Sequence, residues 1–182
     1  ASPISYPKVN CMATIFSHVA IPLALAAGFG LKKINRRLTV LGMLCAIAPD
    51  FDVLGFKFGI AYASPWGHRG FTHSLFFACV CALLLTLFHR GLRAKRITIF
   101  AVAFVSMASH LTLDAMTTGG LGVAAFWPFD LTRYFLPWRP IAVSPIGVGF
   151  FSERGLTVLY SEALWVWLPA VLAVFVFRWW RR

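Results

Sequence analysis

The sequence predicts an all-α, multi-pass membrane protein: a helical bundle of about five transmembrane helices, with a long outer loop or re-entrant segment between the fourth and the fifth. Three observations lead to this fold class. Of the 182 residues, 59% are hydrophobic and only 13% are charged, whereas about 25% of the residues of a soluble domain are charged. Five apolar stretches recur along the chain, and clusters of basic residues fall at alternate connections between them.

Each apolar stretch has a length that suits one membrane crossing. The stretches hold 18 to 22 residues, and about 20 residues of helix span the ~30 Å hydrocarbon core of a bilayer. They are Ala13–Leu31, Leu38–Phe56, Phe71–Phe88, Ile97–Met116 and Leu156–Phe177. The alternative is that one of the five is only a buried or interfacial helix.

The chain divides into a short tail and one domain. Residues 1–11 are polar and rich in turn formers, and Met12 then opens the first apolar stretch. We therefore expect an N-terminal tail or expression remnant at residues 1–11 and a single membrane-embedded domain over residues 12–182. Thr117–Gly155 is rich in Gly, Pro and Trp, so it is expected to form the ordered loop or re-entrant segment.

The net charge of +11 is best explained by membrane topology. An excess of this size would suggest nucleic acid as a partner, but the chain is too apolar, and we predict no nucleic-acid partner. Eleven of the 17 basic residues lie in three clusters without acids: Lys32, Lys33, Arg36 and Arg37; Arg90, Arg93, Lys95 and Arg96; Arg178, Arg181 and Arg182. Five spans place these clusters on one side, which the positive-inside rule makes cytoplasmic. The N-terminus is then outside and the C-terminus cytoplasmic.

Ionisable residues inside the apolar stretches are the candidate functional residues, because they are costly in a membrane. In the predicted topology, four separate segments bring His and Asp side chains to the outer end of their spans. These residues are His18, Asp50, Asp52, His68, His73, His110 and Asp114. A lone membrane His is usually a hydrogen-bonded packing residue and a lone Asp a helix cap, but several at one depth indicate a metal site.

The spacing of these residues fits metal ligation. His110 and Asp114 are four residues apart, so they share one helix face and suit two ligands of one ion or one ligand on each of two neighbouring ions. We predict five metal ligands: His18, Asp50, His73, His110 and Asp114. Imidazole with carboxylate suits zinc, manganese or iron(II). A single tetrahedral ion needs fewer ligands, so we predict two divalent ions, with zinc favoured. Asp52 and His68 are either further ligands or partners that orient a ligating His.

Basic residues near the predicted site are candidates for substrate binding. Arg133 and Arg139 are spaced among aromatic residues of the long loop, and together with Arg69 they would hold an anionic phosphate, whose oxygens match guanidinium forks. The alternative is that they meet lipid headgroups in an interfacial aromatic belt. The segment 117–120 (Thr-Thr-Gly-Gly) either lets the backbone approach a ligand closely or ends the helix.

The same segments resemble a known family, the YdjM-type, LexA-regulated, membrane-bound metal-dependent hydrolases of bacteria. The resemblance covers Met12 to about Gly149. It is carried by His18, by Pro49-Asp50-Phe51-Asp52, by Gly67-His68-Arg69-Gly70-Phe71-Thr72-His73-Ser74, by Ser109-His110 through Asp114 to Gly120, and by Phe126-Trp127-Pro128 through Pro145. It implies an inner-membrane protein with hydrolase activity. The pair His110 and Asp114 is also similar to a pair in zinc-dependent phospholipase C and P1-type nucleases.

The leading hypothesis is a metal-dependent phosphoester hydrolase near the outer face of the bacterial inner membrane, with a membrane lipid as substrate and metal-activated water as nucleophile. Arg69 would stabilise the developing negative charge, and Asp52 or His68 would orient the nucleophile or protonate the leaving oxygen. The alternatives are a metal-ion transporter, a haem protein with paired axial histidines, and a non-enzymatic membrane protein with a structural metal site. No ionisable residue continues a path through the inner halves of the first four spans, which disfavours the transporter.

Overall fold

Helices dominate the computed structural model, which describes residues 10–145 and 152–181, and about 65% of these residues are helical. The α-helices are α1 (Ile15–His18), α2 (Ala20–Phe29), α3 (Arg36–Ile47), α4 (Leu75–Leu85), α5 (His89–Leu92), α6 (Arg96–Ala115), α7 (Glu153–Glu162) and α8 (Leu168–Trp180). Three 3₁₀ segments continue or precede them: Ala48–Phe58, Phe71–His73 and Thr86–Phe88. A π-helical segment, Ala163–Trp167, joins α7 to α8.

Four continuous helical segments of the described chain are long and apolar enough to cross a membrane. They are Arg36–Phe58, Leu75–Leu92, Arg96–Ala115 and Glu153–Trp180. The first predicted span forms the shorter apolar segment Ile15–Phe29, whose length of about 22 Å is less than the ~30 Å hydrocarbon core. The predicted multi-pass helical bundle is thus confirmed, while a fifth crossing by α1 and α2 stays a prediction.

Side-chain caps fix where two of these helices begin. The Asn35 side chain accepts a hydrogen bond from the backbone N–H of Leu38 at the start of α3. The Ser74 hydroxyl accepts from the N–H of Phe77 at the start of α4 and donates to the carbonyl of Phe71. Such caps satisfy backbone donors that a helix leaves free at its N-terminus. The Ser74 cap also sets the position of His73, which directly precedes it.

Helix α6 is the centre of the bundle. It packs between α3 and α4, while α2 packs against α8. Small residues such as Ala78 and Ala103 are fully buried where α4 meets α6, which lets the two helices approach closely. Large apolar side chains point outwards on the peripheral helices, for example Leu84 and Phe88. That pattern is expected of a surface in contact with lipid rather than water.

The long connection after α6 is an ordered, mostly irregular loop that folds back on the helix ends. The N–H of Leu136 donates to the carbonyl of Ala115 at 2.9 Å, and Val123 and Tyr134 exchange a pair of backbone hydrogen bonds at 2.9 Å. At its end, strand β2 (Ser144–Pro145) pairs antiparallel with strand β1 (Asn10–Met12). Residues 1–9 of the predicted tail and residues 146–151 of the predicted loop lie outside the described residues.

Candidate metal centre

Five predicted metal ligands converge from four helical segments. His18 ends α1, Asp50 lies in the 3₁₀ segment after α3, His73 ends the 3₁₀ turn before α4, and His110 and Asp114 occupy the last two turns of α6. All are buried: Asp50 retains 6% exposure and the other four retain none. Burial of this many ionisable groups requires that they compensate one another or bind a cation.

Four of these residues form one compact group, which we call the His–Asp cluster: Asp50, His73, His110 and Asp114. One ligand atom from each residue lies within 4.8 Å of all the others. The Nε2 atoms of His73 and His110 are 2.9 Å apart. The Nε2 of His73 is 3.3 Å from Asp114 Oδ2, and that of His110 is 3.5 Å from Asp50 Oδ1.

Hydrogen bonds on the far side of each ring assign the tautomers of the two clustered histidines. The Nδ1 of His110 lies 2.7 Å from the carbonyl oxygen of Ala46, which only accepts, so Nδ1 carries the proton. The Nδ1 of His73 lies 3.2 Å from Asp52 Oδ2 and is assigned a proton for the same reason. In its neutral form, a ring with this tautomer presents an Nε2 lone pair to the cluster, as metal-ligating imidazoles do.

The cluster therefore contains acceptors that face one another without donors. Both carboxylate oxygens of Asp50 and the Oδ2 of Asp114 are buried without a hydrogen-bond partner among the described residues. The Nε2 atoms of His73 and His110, 2.9 Å apart, would add two lone pairs to this excess with both rings neutral. Two imidazoles and two carboxylates form a donor set that zinc, manganese and iron(II) accept. The residues thus fit a divalent metal ion.

His18 faces the same carboxylates from the other side. Its Nε2 lies 3.8 Å from Asp50 Oδ2 and 3.9 Å from Asp114 Oδ1, which are the oxygens opposite to those nearest His110 and His73. The His18 ring stacks on His110 with a centroid distance of 3.8 Å. Both of its ring nitrogens are buried and unpartnered within the described part of the chain. Each carboxylate thus presents one oxygen to His73 and His110 and the other to His18.

Asp52 and His68 form a second layer beside the cluster. Asp52 Oδ1 lies 2.6 Å from His68 Nδ1, and its Oδ2 accepts from the Thr72 hydroxyl at 2.6 Å and faces His73 Nδ1. This carboxylate therefore orients both histidine rings. Asp52, His68 and His73 also form a group compact enough to hold an ion, but hydrogen bonds already occupy the atoms that face one another. The Nε2 of His68 remains buried without a partner in the described chain.

Arg69 is fully buried and is held against Asp114. Its guanidinium lies 3.1 Å from Asp114 Oδ1 and donates to the carbonyl of Gly119 and the hydroxyl of Thr117 at 3.1 Å. A Cβ at Gly120 would lie 2.6 Å from this guanidinium, and Gly120 has a φ of +88°. The glycine-containing segment after α6 thus lets the backbone approach Arg69, and a close approach to a ligand stays a prediction.

Arg133 is engaged with backbone carbonyls instead of facing the cluster. Its guanidinium donates to the carbonyls of His68, Tyr62 and Ser64 at 2.8 to 3.0 Å. Burial lowers the pKa of Arg133, although a guanidinium remains protonated in proteins. Arg133 therefore ties the long loop to the turn that carries His68. Arg139 is exposed, with its guanidinium 4.7 Å from the centroid of the Phe135 ring.

The turn that presents His68 and Arg69 depends on close backbone contacts. The N–H of Gly70 donates to the carbonyl of Gly67 at 2.9 Å, and that of Phe71 donates to the carbonyl of Pro65 at 2.9 Å. A Cβ at Gly70 would overlap the Pro65 carbonyl oxygen. Arg69 itself has a φ of +61°, a conformation uncommon for residues other than glycine. The turn is thus folded tightly enough to fix both side chains.

Sequence reasoning missed Glu162 as a site-supporting residue. This side chain is 1% exposed, and its two oxygens accept from the backbone N–H and the hydroxyl of Thr14 at 2.5 Å. The preceding N–H, that of Ala13, donates to Asp114 Oδ1 at 3.5 Å. Thr14 is the N-cap of α1, the helix that carries His18. The signal was a single acid inside the last apolar stretch. The contacts of Thr72 and Thr117 were also missed, although both residues lie in segments that carry the family resemblance.

Comparison with known proteins matches this chain to one family. The YdjM inner membrane protein family covers residues 12–182. The chain belongs to this family. The inner membrane protein YbcI of Escherichia coli (strain K12) is 45% identical over 173 residues, which are 94% of this chain and 99% of that protein. The uncharacterized protein YvsG of Bacillus subtilis (strain 168) is 37% identical over 87 residues, which are 44% of this chain and 51% of that protein.

Family membership confirms the resemblance seen in the sequence and, with the four apolar helices, supports an inner-membrane location. The names of the family and of YbcI state an inner-membrane location and no reaction. No protein of known structure is significantly similar to the chain. The chemistry of the site is therefore argued from the side chains that this chain brings together.

Proposed function

We propose that this protein is a metal-dependent phosphoester hydrolase of the inner membrane, acting on a lipid or lipid-linked phosphate. The observation that carries the proposal is the arrangement of Asp50 and Asp114 between His18 on one side and His73 with His110 on the other. These two carboxylates and the three histidines would hold two divalent ions, and zinc is the favoured metal. Such ions would supply Lewis acidity and lower the pKa of a water towards about 7.

The chain's own residues supply the rest of the chemistry in this proposal. Asp52 accepts the Nδ1 proton of His68 and so leaves His68 Nε2 able to take a proton from a nucleophile or return one to a leaving oxygen. Arg69 holds Asp114 in place through its ion pair. We therefore assign Arg69 as a positioning residue, instead of the direct charge-stabilising role expected from the sequence.

The substrate assignment rests on the surroundings of the cluster. It lies at the end of the membrane-crossing helix α6, beneath a loop rich in aromatic residues, so a lipid phosphate is the natural ligand. Arg139 is the exposed cation on that loop, and we retain it as a candidate phosphate contact. For Arg133 we propose a supporting role, since its donors already bind three carbonyls.

The enclosure of the cluster favours the alternative of a structural metal. Asp50 is the most exposed member, at 6%, so a substrate must reach the ions past Asp50 after a movement of the surrounding turns. A structural ion would need no such path. The two functions are distinguished by whether the metal-loaded protein turns over a substrate.

The deciding experiment combines metal analysis with a lipid hydrolysis screen. We expect purified wild-type protein to contain a divalent metal and to release phosphate or a phosphorylated headgroup from a lipid of the panel, and His110→Ala to lose both. His89→Ala is the matched control, because His89 lies on α5, away from the cluster. Bound metal without any hydrolysis supports the structural alternative, and metal uptake into proteoliposomes supports a transporter. Hydrolysis that persists in metal-free His110→Ala protein overturns the proposal.

The orientation in the membrane is part of the proposal. The three basic clusters would lie on the cytoplasmic side, which places the cluster end of α6 near the outer face, the N-terminus outside and the C-terminus inside. Reporter fusions at both termini test this orientation. If a reporter that works only in the cytoplasm is active when it is fused to the N-terminus, the proposed orientation is contradicted.

A further inference from the structure

The opposite end of α6 borders an open groove that the metal centre does not use. The groove has a volume of about 650 Å³, within the range of about 300–1,000 Å³ typical of small-molecule sites. It is formed by α2, the turn after α2, the turn before α6 and the first half of α6. We call it the basic groove. From Thr98 on its wall to His110 in the cluster, α6 rises by about 18 Å, so the two sites are separate.

The mouth and the wall of the basic groove differ in chemistry. Four cations lie at its mouth: Lys32, Lys33, Arg93 and Lys95. All four are exposed, and no acid occurs among the residues that line the groove. The wall is apolar and continues along one face of α6 through Ala101 and Val105, opposite Leu25 and Phe29 of α2.

Hydrogen bonds hold the two sides of the mouth together. The Asn35 side chain donates to the carbonyls of Leu92 and Arg93 at 2.9 and 3.1 Å, and Arg37 donates to the carbonyl of Gly91 at 2.6 Å. These bonds link the start of α3, directly after the turn that follows α2, to the end of α5 and the turn before α6. Arg93 has a φ of +50°, which is uncommon outside glycine. The cations are thus presented by backbone that is already fixed, which lowers the entropic cost of binding.

We propose that the basic groove binds one anionic phospholipid, with the phosphate at the four cations and an acyl chain along the apolar wall. The mouth favours a negatively charged headgroup, because its four cations have no acidic residue beside them among the residues that line the groove. The first turn of α6 adds backbone donors, since its N-cap Lys95 makes no side-chain cap and helix N-termini favour phosphate. The wall selects a lipid over a free phosphate or a nucleotide. Basic pockets between membrane helices are known to hold such headgroups.

The direction of the groove agrees with this occupant. From Lys95 to Val105 the helix rises by about 15 Å, from the charged end of a membrane-crossing segment towards its middle. A phospholipid bound here would lie parallel to its neighbours in the leaflet. The inference stands apart from the proposed hydrolase, because this lipid would be a ligand held well away from the His–Asp cluster.

Native mass spectrometry of the delipidated, detergent-solubilised protein tests the proposal. The two probes are phosphatidylglycerol and phosphatidylcholine with identical acyl chains. We expect one phosphatidylglycerol to be retained in preference to phosphatidylcholine. Each cation near a headgroup contributes about 1 kcal/mol, so Lys32→Gln combined with Lys95→Gln should weaken phosphatidylglycerol binding roughly thirtyfold.

Two further variants separate the groove from general surface charge. Arg36→Gln combined with Arg90→Gln removes the same charge from exposed residues outside the groove lining and should retain near wild-type binding. Ala101→Trp fills the apolar wall and should abolish phospholipid binding while the cations remain.

Three results would overturn the proposal. One is equal retention of phosphatidylcholine and phosphatidylglycerol. Another is an equal loss of binding in the two charge-neutralised double variants. The third is displacement of phosphatidylglycerol by inorganic phosphate or glycerol phosphate, together with full binding by Ala101→Trp, which would indicate a site for a free anion.

Discussion

The two ends of α6 carry ionisable side chains in opposite circumstances. At the first end, Lys95 and Arg96 are exposed, and Lys95 lines the basic groove together with three other cations. At the last end, His110 and Asp114 are fully buried, and Asp114 Oδ1 lies 3.1 Å from the Arg69 guanidinium. Helix α6 has 20 residues. It thus carries an exposed, positively charged surface at its first end and an enclosed cluster at its last end.

This difference shows that the environment, rather than the number of charges, decides what an ionisable residue contributes. Exposed cations keep their hydration and cost little, so they are free to attract an anionic surface. A buried carboxylate loses its hydration and is tolerated only with a fixed partner, which Asp114 has in Arg69. Substitutions at the two ends should therefore have very different effects on stability.

The largest effect is expected for Asp114→Ala. It leaves the Arg69 guanidinium buried without its carboxylate, and breaking a buried pair in this way costs about 3–5 kcal/mol. The unfolding temperature in detergent should fall steeply, and the metal content should fall with it.

The control is Asp130→Ala in the loop. The Tyr134 hydroxyl, which donates a 2.5 Å hydrogen bond to Asp130, lowers the pKa of that carboxyl, but the site is exposed and surface changes usually stay within about 0.5 kcal/mol. Equal destabilisation by the two variants would show that the enclosure of Asp114 makes no difference to its contribution.

The fold and the residues of the His–Asp cluster could be predicted from the sequence for a simple physical reason. An apolar stretch of about 20 residues has few alternatives to a helix across the membrane, so the position of His110 or Asp50 along its stretch gives an approximate depth. Residues at one depth in neighbouring helices are expected to meet. The structure brings the five predicted ligands together on this basis.

The loop residues were not predictable in the same way. Arg133 was expected to contact a phosphate, but its donors are taken by carbonyls of a turn about 70 positions earlier in the chain, and no periodicity reports such a contact. For Asp52, the sequence left open whether it binds metal or orients a histidine, because ring orientation depends on χ angles that spacing does not set. Glu162 was detectable by the same rule that identified Asp50, an acid within an apolar stretch.

The next largest effect is expected for Glu162→Gln. The new amide keeps one oxygen as an acceptor, but its NH₂ group faces either the backbone N–H or the hydroxyl of Thr14, which both donate in the wild type. Leaving a buried polar group unsatisfied costs about 1–3 kcal/mol. Because Thr14 starts the helix of His18, metal affinity should fall along with thermal stability. Glu153→Gln is the control, since Glu153 is exposed in the first turn of α7, the helix that also carries Glu162. Unchanged metal affinity in a destabilised Glu162→Gln protein would restrict Glu162 to a purely structural role.

A smaller effect is expected for Asp52→Asn, because this side chain acts through the rings that it orients. Loss of a carboxylate behind a ligating histidine usually lowers metal affinity about 10- to 100-fold. Competition with a chromophoric chelator measures the change directly. Thr72→Val removes the hydroxyl that supports Asp52 and should cause a loss in the same direction but smaller. An Asp52→Asn protein with wild-type affinity would show that His73 needs no orienting partner.

The smallest effect is expected at the basic end, and it completes the comparison. Lys95→Gln removes a full charge, as Asp114→Ala does, but Lys95 is exposed and a surface change of this kind should stay within about 0.5 kcal/mol. Unfolding in a non-ionic detergent without lipid should therefore match the wild type. In the presence of phosphatidylglycerol, the variant should gain less thermal stability than the wild type, because ligand-dependent stabilisation scales with affinity. A large loss of stability without lipid would mean that Lys95 supports the fold itself, and the two ends of α6 would then differ in burial but not in their structural role.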